Sequence, residues 1–184
     1  MNVSLISLWL PILVSAVVVF LASAAIWNFL RYHDSDWRKL PDEESARAAL
    51  KGAAPGHYSV PYAESSAGRN NPEWQDKYRQ GPAAMLTVLP HGSLAMGKQL
   101  TLWMVYCLAV SFMVAYVVSV TLPAGTDYLR VFRVAGTVAV LTYAGAAPMH
   151  GIWFGQQWSA TAKDILDGLI YGLLTAGVFG WLWP

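Results

Sequence analysis

His33, Asp34 and Asp36 fall close together in "RYHDSDWRK", and Asp42, Glu43 and Glu44 follow shortly after. An imidazole nitrogen and several carboxylates are ligand types suited to calcium, magnesium or zinc, so His33, Asp34 and Asp36 are candidate metal ligands. The competing reading is a helix end. The segment emerges from an apolar run, Arg31, Tyr32 and His33 can meet the last helical carbonyls, and the aspartates can pair at the surface with Arg38 and Lys39. The helix-end reading is favoured.

A second candidate lies in "AAPMHGIWFG", where Pro148 and Gly151 predict a kink around His150. His150 is the ionisable group set well inside an apolar run, and such groups in membranes are functional candidates. With Trp153, and beside Pro148, it could line a pocket near the inner leaflet that ligates a haem or chlorophyll or hydrogen-bonds a quinone. Haem held by two histidines is disfavoured, because His33, His57 and His91 all fall in a polar loop. A structural hydrogen bond is the plainer role for His150, and the sequence requires no cofactor.

In "DGLIYGLLTAGVFG" the small residues Gly168, Gly172, Ala176 and Gly180 recur every fourth position, a helix-packing stripe that lets another helix approach closely. Ser159, Thr161, Lys163, Asp164 and Asp167 precede it and read as cap and dipole partners, with Thr161 and Asp164 spaced as a capping box. No catalytic residue is nominated. There is no Walker A loop, GxSxG, HExxH or mid-membrane carboxylate pair, and no inverted repeat relates the two halves.

The elements that must position these residues are long apolar helices. Hydrophobic residues make up 55% of the 184 positions and charged ones 12%, against roughly 25% charged in a soluble domain. Four apolar runs are long enough to cross a bilayer: 5–30, 100–122, 134–154 and 165–183. The first is read as a retained helix rather than a cleaved signal peptide, since no Lys or Arg precedes it. The expected fold is an all-α integral membrane protein of four transmembrane helices, with a small helical cap in the first loop.

Most basic residues lie between Arg31 and Lys98, which places the 31–99 loop in the cytoplasm and both termini in the periplasm. Trp27, Trp103, Trp153 and Trp158 then mark the inner interface, and Trp9, Tyr128, Trp181 and Trp183 the outer one. Within the loop, two short helices are predicted over about 41–51 and 72–80. The first has Pro41 at its opening and Gly52 as its stop, and the second is capped by Asn71 and opened by Pro72, with Trp74 and Tyr78 on one face. "HYSVPY" and "AMLTVLPHG" read as extended segments that could pair. The lone Cys107 excludes an internal disulfide, and a net charge of +1 gives no reason to expect nucleic acid.

The stretches "HDSDWRKLPDEESARAAL", "GPAAMLTVLP", "AMGKQL" and "DGLIYGLLTAGVFGWLWP" resemble a family of small four-helix bacterial inner-membrane proteins. The resemblance implies that location and carries no activity with it. The expected function is a non-catalytic accessory or scaffolding subunit of a larger inner-membrane complex of respiratory or photosynthetic type, with the lipid bilayer and other membrane subunits as partners. The alternatives are a cofactor-, quinone- or lipid-binding protein using the His150 pocket and, last, a small transporter or channel.

Overall fold

The computed structural model describes residues 3–92 and 96–184. Residues 93–95, part of the expected 31–99 loop, lie outside the described residues. The helices are α1 (Trp9–Ala25), α2 (Glu43–Ala49), α3 (Pro72–Gln80), α4 (Met96–Thr121), α5 (Tyr128–Ala144), α6 (Ala147–Phe154) and α7 (Trp158–Trp181). A two-stranded antiparallel pair, β1 (Gly56–Val60) and β2 (Ala84–Val88), modifies the all-α expectation. The chain divides into two compact units, one holding the long helices and the other formed by Arg38–Leu94.

Three helices are long and apolar enough to cross a membrane: Leu5–Leu30, which is α1 with its flanking turns, Met96–Thr121, and Tyr128–Phe154. The expected fourth span is not among them. Its helix starts earlier than the apolar run, at Trp158, so Lys163, Asp164 and Asp167 lie inside its first turns and leave a shorter apolar stretch. The third helix also begins before its apolar run, at Tyr128, where the Asp127 carboxylate accepts the Arg130 amide (3.2 Å) as a cap. Its break falls between α5 and α6, upstream of the expected site. Pro148 then sits in the first turn of α6, where its missing N–H leaves no helical bond unmade.

The seam between α5 and α7 is very close. A Cβ on Gly168 would lie 2.6 Å from the Ala144 side chain, and one on Gly172 would lie 2.4 Å from Val140 and 2.8 Å from its backbone nitrogen. One on Gly180 would strike the Tyr128 ring at 2.8 Å, while Ala176 faces Gly136. Gly168 thus meets the end of α5 and Gly180 its start, so the helices run antiparallel with the small-residue stripe turned inward. Helices immersed in lipid gain little from burying apolar area against each other, and close van der Waals contact of this kind takes its place.

Polar side chains join α1 to α4. The buried Ser15 and Ser111 hydroxyls are hydrogen-bonded at 3.0 Å, and the Trp103 indole donates to Ser23 Oγ at 2.8 Å. Leu8, Val114, Val118, Val131 and Phe179 fill one end of the core, and Val19, Cys107 and Tyr171 the other. Outward positions carry large apolar residues, among them Leu21, Phe112, Met113, Leu141 and Leu173. That is the surface expected of helices solvated by lipid or by other subunits.

In the Arg38–Leu94 unit, β1 and β2 pair with His57 opposite Thr87 and Ser59 opposite Met85. Asn71 Oδ1 caps α3 through the Glu73 amide (2.8 Å), and Asp42 caps α2 through that of Ser45 (3.0 Å). Pro41 therefore precedes the α2 cap rather than opening the helix. Trp74 and Tyr78 stack with ring centroids 5.0 Å apart.

Candidate functional site

The first apolar helix ends in a wide π turn, Ile26–Leu30, closed by the Arg31 amide on the Ile26 carbonyl at 3.1 Å. Arg31 adopts φ +50°, a left-handed conformation that costs a non-glycine residue about 1 kcal/mol. The reversal sends Tyr32–Asp36 as a 3-10 turn onto the first turns of α7. A polar network closes there, linking residues more than 120 positions apart.

His33 lies at its centre and is only 3% exposed. Its Nδ1 is 2.8 Å from Asp36 Oδ2, and its Nε2 is 3.3 Å from Asp167 Oδ2. Asp167, itself buried, also accepts hydrogen bonds from the Tyr32 hydroxyl and, at 3.2 Å, from that of Tyr171. Lys163 Nζ donates to the Tyr32 carbonyl (2.7 Å), Ser35 Oγ (2.7 Å) and Asp36 Oδ1 (2.6 Å). The Trp27 indole stacks on the imidazole, with centroids 4.3 Å apart and planes within 4°. Each buried charge therefore has an opposite charge or hydrogen-bond donors against it, the condition under which burial is tolerated.

The electrostatics follow from these contacts. The Lys163 hydrogen bond, with His33 adding, holds the Asp36 carboxyl below the usual carboxylate range against the opposing effect of desolvation. Burial, then the hydrogen bond and charge of Asp167, push the Tyr32 hydroxyl well above the ordinary phenol range, so it remains a donor. The network is a latch joining the end of the first helix to the start of the last.

The candidate metal ligands are divided by this arrangement. Both nitrogens of His33 face carboxylates, Asp36 is held by Lys163, and Asp34 turns outward to an exposed ion pair with Arg31 at 2.7 Å. Among the described residues no group of three His, Cys, Asp or Glu side chains is disposed to hold a metal. Asp36 pairs with Lys163 of α7, a partner more than 120 positions away that its sequence neighbourhood does not suggest.

His150 and Trp153 lie on α6 with exposed side chains, and the His150 ring stands 5.9 Å from that of Phe154. Neither residue lines either of the two clefts that can be described. One cleft, of about 430 Å³, opens beside the latch and is lined by Trp27, His33, Asp36, Trp37, Gln156 and Asp164, among others. The other, of about 550 Å³, lies in the Arg38–Leu94 unit against Tyr62, Glu64, Glu73, Trp74 and Lys77. There the buried Trp74 Nε1 has no hydrogen-bond partner.

Lys163 and Asp167, expected as dipole partners, are instead members of the latch, together with Tyr171. A signal was present: 163, 167 and 171 are spaced by four, so the three polar side chains share one face of an otherwise apolar helix. The expected capping box fails because Thr161 lies within α7, buried and with its hydroxyl unpartnered. Gln156 instead donates to Asp164 Oδ2 at 2.6 Å. No protein-family model, curated protein or solved structure matches the chain.

Proposed function

We propose that the chain is a non-catalytic accessory or scaffolding subunit of a larger complex in the bacterial inner membrane, of respiratory or photosynthetic type. It crosses the membrane four times, with both termini periplasmic and the Arg31–Lys98 loop forming a cytoplasmic cap. The observation that carries the reading is how the polar groups are used. The latch side chains are consumed in holding helices together, while large apolar residues face outward. Such a bundle is equipped to pack.

Two features support a fourth crossing. The α7 helix follows α5 from Ala144 back to Tyr128, so if α5 crosses the bilayer α7 crosses with it. The latch also places the start of α7 beside the end of the first helix, as four alternating crossings require. The charged first turns then lie at the interface, where they are tolerated.

Extraction directly from the membrane into polymer-bounded lipid discs, followed by native mass spectrometry, tests the subunit role. The expected result is a stoichiometric assembly with other membrane proteins, well above the 20.1 kDa of this chain. Discs holding only the 20.1 kDa chain and lipid would overturn it. Cytoplasmic-side labelling of a cysteine placed at Ser45, in a Cys107→Ser background, tests the orientation.

A further inference from the structure

We propose that the cleft beside the latch is a binding site for an organic ammonium group, primary or quaternary, carried on a lipid headgroup or on a small soluble cation. The site stands whether or not the chain belongs to a larger complex. Its volume of about 430 Å³ falls within the roughly 300–1,000 Å³ range of small-molecule sites.

The lining selects the ligand by charge and by surface. Lys163 neutralises Asp36 at 2.6 Å, and His33 sits between Asp36 and Asp167. Asp164 has only the neutral Gln156 amide at 2.6 Å and no ion pair among the described residues. The Asp164 carboxylate, in the lining of the cleft, thus meets a neutral donor, and we read it as the group that receives the cation.

The walls identify which kind of cation. Trp27 has one face stacked on His33, and its opposite face is not covered by that ring; the residue is 52% exposed. Trp37, also in the lining, is 80% exposed. A hard metal ion needs several converging oxygen ligands, and one such carboxylate with indole walls does not supply them. An alkylammonium is matched on both counts, since indole faces attract it through the ring quadrupole and the carboxylate meets its charge. The exposed indoles are also large apolar surfaces left open at the end of a well-packed helix pair, where a ligand would cover them.

The test uses the full chain in phosphatidylglycerol nanodiscs titrated calorimetrically with tetramethylammonium chloride and with ethanolamine hydrochloride, against sodium chloride at equal ionic strength. In a second arm, nanodiscs of mixed phosphatidylglycerol, phosphatidylethanolamine and phosphatidylcholine are analysed by native mass spectrometry for retained lipid. Binding by a free cation alone assigns a soluble ligand. Preferential retention of an ammonium lipid assigns a headgroup. Asp164→Asn, which keeps an acceptor for Gln156, is expected to weaken either form about tenfold or more. Trp37→Ala, at an exposed position, is expected to weaken it about 3- to 10-fold. Unchanged unfolding temperatures of both variants guard against a folding defect. Absence of both cation binding and lipid preference in the wild type, or an unaltered affinity in Asp164→Asn, would overturn the proposal.

Discussion

His33 and His150 both stand where a helix gives out, yet the two regions use a histidine in opposite ways. His33 is sealed under Trp27 and meets a carboxylate at each nitrogen, one from its own turn and one from α7. His150 lies on an exposed face of α6, with the Phe154 ring as its aromatic neighbour. The difference teaches that a polar residue at the end of a membrane helix takes its role from what the rest of the chain brings to it. Residues around His33 tie two helices together, whereas those around His150 leave that face open.

Removing the hub of the latch should sharpen this contrast most. Asp167→Ala leaves Tyr32, His33 and Tyr171 facing an unfilled gap, and breaking a buried ionic network in this way costs about 3–5 kcal/mol. Thermal unfolding in detergent should show a large drop in midpoint. A drop no greater than that of an exposed α4 substitution such as Met113→Ala would mean that the latch does not hold the bundle. Lys163→Met should cost less, about 2 kcal/mol, because its ammonium is partly solvated and its loss frees a carboxylate that water can reach.

The contrast between the two regions was only half legible in the sequence. Apolar length identified the long helices, and four-residue spacing identified the Gly168–Gly180 stripe, because both signals are local and periodic. The start of α7 was misplaced because a polar first turn resembles a loop when read residue by residue. The latch is long-range: nothing local to "HDSD" reveals that Lys163 and Asp167 will face it. The two extended segments that could pair do so as β1 and β2, but their register, His57 opposite Thr87, carries no local signal. His150 is the opposite case. Its neighbours in sequence are apolar, but it lies on an exposed helix face.

Acidification separates the regions by a smaller effect. The folded pKa of Asp36 is depressed by Lys163, so its contribution to stability is fully present above the unfolded value near 3.9 and is lost as pH falls through the lower folded value. Below about pH 4 the wild-type midpoint should therefore fall more steeply with acidification than that of Lys163→Met, whose Asp36 lacks this partner. The Asp42 carboxylate that caps α2 and the Glu73 carboxylate paired with Lys77, also depressed by their hydrogen bonds from Ser45 and Lys77, are common to both proteins and cancel in the difference. Parallel slopes would remove Asp36 from the list of groups that stabilise the latch.

The smallest effect belongs to His150→Ala. An exposed ring 5.9 Å from its aromatic neighbour can lose only a marginal contact, so stability should change by less than about 0.5 kcal/mol. The absorption spectrum of the purified protein should be the same with and without the imidazole, because the ring lies exposed on α6 beside Phe154. This null effect is as informative as the large one at Asp167. A visible band lost in His150→Ala would put a cofactor on the open face of α6. A destabilisation comparable to that of Asp167→Ala would require the exposed histidine to have a partner outside this chain, and the contrast between the two helix ends would become a contrast between an internal contact and an intersubunit one.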